Sequence, residues 1–184
     1  MAPVALSKPP NDHITRPGYD LDRLCRCIHF AQTTWKVRVY LEPGEAVALN
    51  AGFLVTRVLD VVENSGTRIA ILDSSAACHM PDVIEMPYTP PLLGAFAKAQ
   101  EDLPFRYRLA GPTCLSGDVI GDYSFPAPLE IGDLLVFGDM AIYTTCKNNT
   151  FNGMPLPNIY ARSVTGACTA LTDFGYSDFK HRLG

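Results

Sequence analysis

The hydrophobic pattern of this chain changes its period once, near residue 45, and this change limits the possible folds. Apolar residues recur at helical spacing after Asp20, which is a plausible N-cap. From Ala46 onward they instead form β-branched runs separated by turns that contain glycine or proline. We therefore expect one clear helix, from about Leu21 to Thr33, followed by a chain made mainly of strands.

Two strand patterns set the expected architecture. Val37 to Leu41 alternates and stops at a turn that begins with Glu42, which predicts a strand with a carboxylate at its carboxyl end. A helix followed by such a strand is one step of an α/β barrel, whose active site lies at that end of the strands. Further along, the runs Gly52 to Glu63 and Thr67 to Asp73 flank Asn64-Ser65-Gly66, which is a hairpin signature.

The predicted fold class is therefore α+β, with two parts. Residues 1–45 are expected to be a remnant of an α/β (TIM-type) barrel that ends with its last helix–strand step. Residues 46–184 are expected to form a C-terminal antiparallel β-barrel or sandwich domain. The boundary follows the change of period rather than a linker.

Composition excludes several classes of function. The 184 residues carry a net charge of −4 with no basic run, which argues against nucleic acid and against an anionic membrane surface. The N-terminal residues Met1 to Pro10 have no apolar signal core, so the sequence does not predict export. Six cysteines in a chain of this size then predict free thiols in a reducing cytoplasm rather than a disulfide framework.

The segment Gly111 to Tyr123 holds one thiol, Cys114, and two carboxylates, Asp118 and Asp122, among three glycines and a proline. Such a segment predicts an irregular loop between strands, where glycine lets the backbone approach a ligand or another chain. A tight turn whose aspartates bond their own backbone has the same composition. Spacing alone leaves both interpretations open, and the same holds for Glu42, which fits a solvated loop carboxylate equally well.

Two groups of possible metal ligands do not predict a metal site. On a helix, Cys25 and His29 share a face while Cys27 points away, so the three cannot close one tetrahedron. The two cysteines are instead expected to be buried in the helix interface. Cys78-His79 has no second pair of suitable spacing.

Three segments in order resemble a known family. They are Leu41 to Ala46, Gly111 to Tyr123, and Asp139 to Thr144. Together they resemble the pyridoxal-phosphate-dependent decarboxylases of the alanine racemase-like fold, which include ornithine and diaminopimelate decarboxylases. Cys78 to Tyr88 and Thr150 to Gly153 are more similar to one branch, the carboxynorspermidine (carboxyspermidine) decarboxylases. The resemblance runs from about His13 to the C-terminus.

The resemblance implies an α/β barrel that carries pyridoxal 5'-phosphate and a β domain that completes the site across a homodimer interface. Glu42 corresponds to the acid that pairs with the pyridine nitrogen, and Gly44 to a position close to the cofactor phosphate. Tyr143 corresponds to a tyrosine whose hydroxyl reaches that phosphate. Cys114 corresponds to a proton donor inserted into the partner's site, while Asp118 and Asp122 are expected to meet the ammonium groups of a polyamine amino-acid substrate.

The same resemblance implies that part of the site is absent from this chain. The Schiff-base lysine of the family lies upstream, and none of the lysines stands in a matching context: Lys8, Lys36, Lys98, Lys147 and Lys180. Residues 1–12 are an atypical leader in place of an expected glycine-rich phosphate loop. We therefore expect a polyamine-pathway decarboxylase portion that is inactive alone and works as a dimer or with a longer homologue. The alternatives are a non-catalytic module that pairs with an intact homologue, a truncated product without function, or another decarboxylase such as diaminopimelate decarboxylase.

Overall fold

The computed structural model of the chain describes residues 20–97 and 103–184. The chain divides into two compact units, residues 1–47 and residues 48–184. The predicted atypical leader lies outside the described residues. The assignment of residues 1–45 to a larger α/β barrel stays a prediction.

The N-terminal unit contains helix α1 (Leu21–Trp35) and the start of a short helix α2 (Gly44–Ala48). Asp20 caps α1, because its Oδ1 accepts a hydrogen bond from the Arg23 amide at 2.8 Å. The predicted helix is confirmed, with two further residues before Lys36 ends it in a left-handed conformation (φ 56°).

Two expectations for this unit are wrong. Residues 36–43 have no regular secondary structure, so the strand predicted over Val37 to Leu41 is absent. A strand exists only where a neighbour takes its backbone hydrogen bonds, and none of the described strands pairs with this segment. Cys25 and Cys27 are exposed rather than buried, and α1 has no buried residue.

The second unit is built on five strands. They are β1 (Leu54–Asn64), β2 (Thr67–Leu72), β3 (Phe105–Ala110), β4 (Val119–Phe125) and β5 (Leu134–Phe137). Their order in the sheet is β4-β3-β2-β1-β5. The predicted turn between β1 and β2 is confirmed, with Ser65 at φ 52° and Gly66 at φ 76°.

The α+β class is confirmed, but the sheet is mixed rather than antiparallel. β2 and β3 run parallel, with Ile69 opposite Arg108, while the other neighbouring pairs are antiparallel. A parallel pair needs a long crossover, which here runs through residues 73–104. The sheet is curled, because Leu92 pairs with β5 and Phe96 pairs with Ser124 on β4.

Alternate side chains of these strands fill one core. Tyr123 and Phe137 meet edge to face with ring centroids 6.1 Å apart, and the Tyr123 hydroxyl donates to the carbonyl of Pro90 at 2.7 Å. Fully buried neighbours are Val58, Ala70, Leu72, Ala76 and Leu109. Burial of the valine and leucine side chains stabilises the fold by about 1.5–3 kcal/mol each.

Shorter elements surround the sheet. They are α3 (Ala76–His79), α4 (Asp82–Glu85), α5 (Tyr143–Cys146), a 3₁₀ turn (Phe151–Gly153), β6 (Ile159–Arg162), β7 (Cys168–Thr172) and α6 (Tyr176–Leu183). β6 and β7 form an antiparallel two-stranded hairpin. Within the described ranges, every helix is too short or too polar to cross a membrane.

Candidate active site

The loop between β3 and β4, residues 111–118, holds Cys114 at the surface of the sheet unit. Its ends are joined by a hydrogen bond from the Gly111 amide to the Asp118 carbonyl at 2.9 Å. The Cys114 thiol donates to Oδ1 of Asn152 at 3.7 Å. Asn152 lies in the 3₁₀ turn with left-handed backbone (φ 58°), a conformation that asparagine tolerates better than most residues. The loop therefore presents an accessible thiol with a defined acceptor.

Asp118 lies in the interior, with 3% of the residue exposed. Its carboxylate accepts from Ser75 Oγ at 2.9 Å on both oxygens, from Thr113 Oγ1 at 2.6 Å, and from the amide of Ala76 at 2.7 Å. Longer bonds come from the amides of Ala77 and Thr113, both at 3.3 Å. All of these donors are neutral. The predicted contact between Asp118 and substrate stays a prediction.

Asp122 has a different environment, on the water-exposed side of β4. Its two oxygens accept from Arg108 Nε at 2.8 Å and Nη2 at 3.0 Å, and Arg106 lies 3.8 Å away. The hydrogen bonds from Arg108 hold the pKa of Asp122 below its usual value. The side chain is 32% exposed. Asp122 is thus the more accessible of the two carboxylates, although arginine already pairs with it.

Tyr143 begins α5 and is about half exposed. The Lys147 ammonium lies 5.2 Å from the centroid of its ring, within the range of a cation–π contact. That ammonium also donates to Asp82 at 2.7 Å and to Glu85. These hydrogen bonds raise the pKa of Lys147, which therefore stays protonated.

Glu42 and Gly44 lie in the N-terminal unit. Glu42 is exposed, and among the described residues no group bonds its carboxylate. Gly44 is the first residue of α2, and a Cβ placed there would meet no atom within 4 Å. The structure thus brings Cys114 together with Asn152, while Asp118 and Asp122 have separate partners. The assignments of Glu42, Gly44 and Tyr143 to the cofactor stay predictions.

Sequence reasoning missed a buried group of polar residues next to the loop. Ser75 caps α3, because its Oγ accepts from the Cys78 amide at 3.1 Å. The Ser75 amide donates to Nδ1 of His79 at 3.1 Å, and His79 Nε2 therefore donates to the Pro155 carbonyl at 2.9 Å. Burial lowers the pKa of His79. Ser75 before a short apolar run was a readable cap signal, but no sequence signal linked it to Asp118.

Three comparisons place these features in a family. Residues 18–141 match the family model described as the C-terminal sheet domain of pyridoxal-dependent decarboxylases. Over 92% of its length the chain is 43% identical to carboxynorspermidine/carboxyspermidine decarboxylase from Campylobacter jejuni, and over 93% it is 42% identical to carboxyaminopropylagmatine decarboxylase from Synechocystis. It superimposes with a TM-score of 0.80 and 44% identity on the crystal structure of Campylobacter jejuni carboxynorspermidine decarboxylase complexed with norspermidine, covering 92% of this chain and 48% of that one.

The chain spans about half the length of the curated relatives it matches, 47% of the first protein and 44% of the second. The match to the family model includes Glu42, Gly44 and the whole Cys114 loop, but it ends before Tyr143. The chain belongs to the pyridoxal-dependent decarboxylases and carries their C-terminal sheet domain.

Proposed function

We propose that this chain is the C-terminal part of an enzyme that decarboxylates carboxynorspermidine or carboxyspermidine to norspermidine or spermidine. The observation that carries this proposal is the 43% identity to the Campylobacter jejuni decarboxylase along 92% of this chain. Carboxyaminopropylagmatine is a second candidate substrate, because the Synechocystis relative is almost equally similar at 42%. Cys114 is also an exposed thiol, and it lies in the loop where the resemblance places a proton donor.

The family implies pyridoxal 5'-phosphate, and the exposed polar groups of this chain fit it. When bound, this cofactor supplies an electron sink for the electrons released as carbon dioxide leaves. Glu42 would pair with its pyridine nitrogen, and the Glu42 carboxylate is exposed with no partner among the described residues. Tyr143 would reach the cofactor phosphate. This residue is about half exposed, and its hydroxyl likewise has no hydrogen-bond partner within the described ranges.

In this proposal Cys114 returns one proton to the α-carbon after decarboxylation. A general acid must hold its proton in one direction, and the contact with Asn152 gives the thiol a defined orientation before substrate arrives. The ammonium groups of the substrate would meet Asp122, whose carboxylate is ionised and partly exposed. In this proposal Cys114 donates the proton, Asn152 orients the thiol, and Asp122 binds the positively charged groups of the substrate.

We also propose that the cofactor is not anchored covalently by this chain. Lys147 is the best placed lysine near Tyr143, but Asp82 and Glu85 hold its ammonium and raise its pKa, which disfavours the neutral amine that attacks an aldehyde. Borohydride reduction with pyridoxal phosphate should therefore leave no pyridoxyl group on Lys147. A pyridoxyl-Lys147 peptide in the mass spectrum would refute this part of the proposal.

The chain is proposed to act with a second copy or a longer homologue, and complementation tests this. A longer homologue whose own matching cysteine is replaced by alanine should regain formation of norspermidine from carboxynorspermidine when mixed with this chain. Cys114→Ala in this chain is the matched control and should abolish the regain. Copurification without any regained activity would instead favour a non-catalytic module. Repeating the assay with carboxyspermidine and with carboxyaminopropylagmatine identifies the preferred substrate.

A further inference from the structure

Asp118 is a buried carboxylate whose hydrogen-bond donors are all neutral. A buried charge is costly unless hydrogen bonds compensate for the water it has lost. Two segments of the chain make that compensation here. One is the Cys114 loop, through the hydroxyl and the amide of Thr113, and the other is the start of α3, through the Ser75 hydroxyl and two backbone amides. The carboxylate therefore needs both segments in place, and each segment is in turn held by the carboxylate.

One of the two segments is the Cys114 loop itself. Thr113, the residue before Cys114, donates to Asp118 Oδ2 through its hydroxyl at 2.6 Å and its amide at 3.3 Å. Gly111 leaves the space for this arrangement, because a Cβ at that position would lie 2.6 Å from Asp118 Cγ. The backbone on the N-terminal side of the thiol is thus fixed by the buried carboxylate.

The other segment is α3, which also positions the acceptor of the thiol. Ala76 and Ala77 donate their amides to Asp118. At the same helix, the Ala77 carbonyl accepts from Asn149 Nδ2 at 2.7 Å and the Cys78 carbonyl accepts from the Asn149 amide at 3.0 Å. Asn149 leads into the turn that carries Asn152. Asp118 is therefore connected, through α3 and Asn149, to the turn that carries Asn152, the acceptor of the Cys114 thiol.

We propose that Asp118 is a positioning residue that holds Cys114 against Asn152. Its carboxylate fixes the thiol from one side through Thr113 and the acceptor of the thiol from the other side through α3. In this role it contacts no substrate, in contrast to the expectation from sequence. The effect of Asp118 on catalysis rests on the proposed function. Its positioning role does not, because all of the contacts involved lie within this chain.

The test measures alkylation of single cysteines in the 184-residue chain with iodoacetamide, read by peptide mass spectrometry. Asp118→Asn should raise the rate at Cys114 about three- to tenfold relative to Cys168, since loss of a contact of this size frees the thiol. Cys168 is exposed on β7 and reports reagent access, while buried Cys78 reports unfolding. Gly111→Ala should give the same result, because it displaces the carboxylate without changing its charge.

Asp73→Asn is the matched control. Asp73 also accepts from a threonine hydroxyl, Thr56 at 2.6 Å, and from an amide, Arg57 at 2.8 Å, but these bonds lie on β1. Its replacement should leave the Cys114 rate unchanged. An unchanged Cys114 rate in both Asp118→Asn and Gly111→Ala, with Cys78 still protected, would overturn the proposal.

If Cys78 becomes reactive in these variants, a milder pair decides. Thr113→Val removes one hydroxyl donor and should still raise the Cys114 rate, whereas Thr113→Ser keeps the hydroxyl and should not. Equal rates for the two would overturn the proposal. In the complementation assay, Asp118→Asn should lower kcat about tenfold with KM unchanged; a raised KM with unchanged kcat would show substrate contact instead. No activity with the unaltered chain would refute the proposed function, while the alkylation rates would still decide the role of Asp118.

Discussion

The five-stranded sheet and the β6–β7 hairpin contain similar β-branched and aromatic residues, but only the sheet has an interior. Leu72, Leu109 and Phe137 of the sheet are fully buried. Every residue of β7 is exposed, and Leu171 is 64% exposed. Backbone pairing is thus present in both regions, whereas apolar burial, the larger source of stability, is present in one.

This difference separates what holds each region together. A two-stranded hairpin is marginal in water unless another surface covers it. The hairpin here is closed by local bonds, such as the Ser163 amide to the Ala167 carbonyl at 2.8 Å. The sheet carries the stability of the unit and the candidate active site together, since Cys114 and Asp118 lie between two of its strands.

The largest expected effect is a cavity in the sheet. Phe137→Ala should destabilise the chain by about 3–5 kcal/mol, because it removes a fully buried ring and leaves a void against Tyr123. Leu171→Ala on β7 is the control and should stay within about 0.5 kcal/mol. Urea denaturation followed by circular dichroism measures both. Similar losses of stability for the two variants would contradict the conclusion that apolar burial stabilises the sheet but not the hairpin.

A smaller effect is expected from the polar group under the loop. Ser75→Ala should cost about 1–3 kcal/mol, because it removes a hydroxyl donor from the buried Asp118 carboxylate. Ser163→Ala is matched to it, since the Ser163 hydroxyl also bonds locally but is exposed in the hairpin turn. Thermal unfolding of the two variants compares them. A loss for Ser163→Ala equal to that for Ser75→Ala would show that burial is not the deciding factor.

The same polar group should make stability depend on pH. Burial lowers the pKa of His79, so below the ordinary value of 6.5 the unfolded chain binds a proton that the folded chain does not. Stability is therefore full above pH 6.5 and falls as the pH drops toward the lowered pKa, by at most about 1.4 kcal/mol per pH unit. Protonation of Nδ1 would also remove the acceptor for the Ser75 amide.

Two histidine variants test whether His79 causes this pH dependence of stability. His79→Gln should flatten the fall in unfolding free energy between pH 6.5 and about pH 5.5, the window just below the ordinary histidine value. His181→Gln replaces an exposed histidine on α6 and should leave the fall unchanged. An identical pH profile for the chain and His79→Gln would rule out His79 as its source.

Features of the fold that depend on nearby residues could be predicted from the sequence. The Asp20 cap and the Ser65–Gly66 turn were correct, because each needs only a few neighbouring residues. The strand predicted over Val37 to Leu41 was wrong, and so was the fully antiparallel sheet. Both depend on which distant segment supplies a partner, as Ile69 finds Arg108 across a long crossover.

The candidate site divides in the same way. Its glycine-rich loop and exposed Cys114 could be predicted, since irregular backbone between strands reaches the surface. The burial of Asp118 could not, because its donor Ser75 lies 43 residues away in the sequence. The spacing of Asp118 and Asp122 suggested a common role, yet the strand pairing gives one carboxylate hydroxyl donors in the interior and the other arginines at the surface.

The smallest effect is expected at Asp122, a residue of the sheet that faces water. Asp122→Asn should change stability by less than about 1 kcal/mol, since its ion pair with Arg108 is partly exposed and screened. Because the pKa of Asp122 is lowered, the contribution of this pair is present above the ordinary value of 3.8 and is lost as pH falls. Unfolding at low and high salt, near neutral pH, measures it, and high salt should remove the difference between the variant and the original chain. If Asp122→Asn lowers the free energy of unfolding as much as Ser75→Ala does, and salt has no effect, then location in the sheet unit rather than burial determines how much these side chains stabilise the chain.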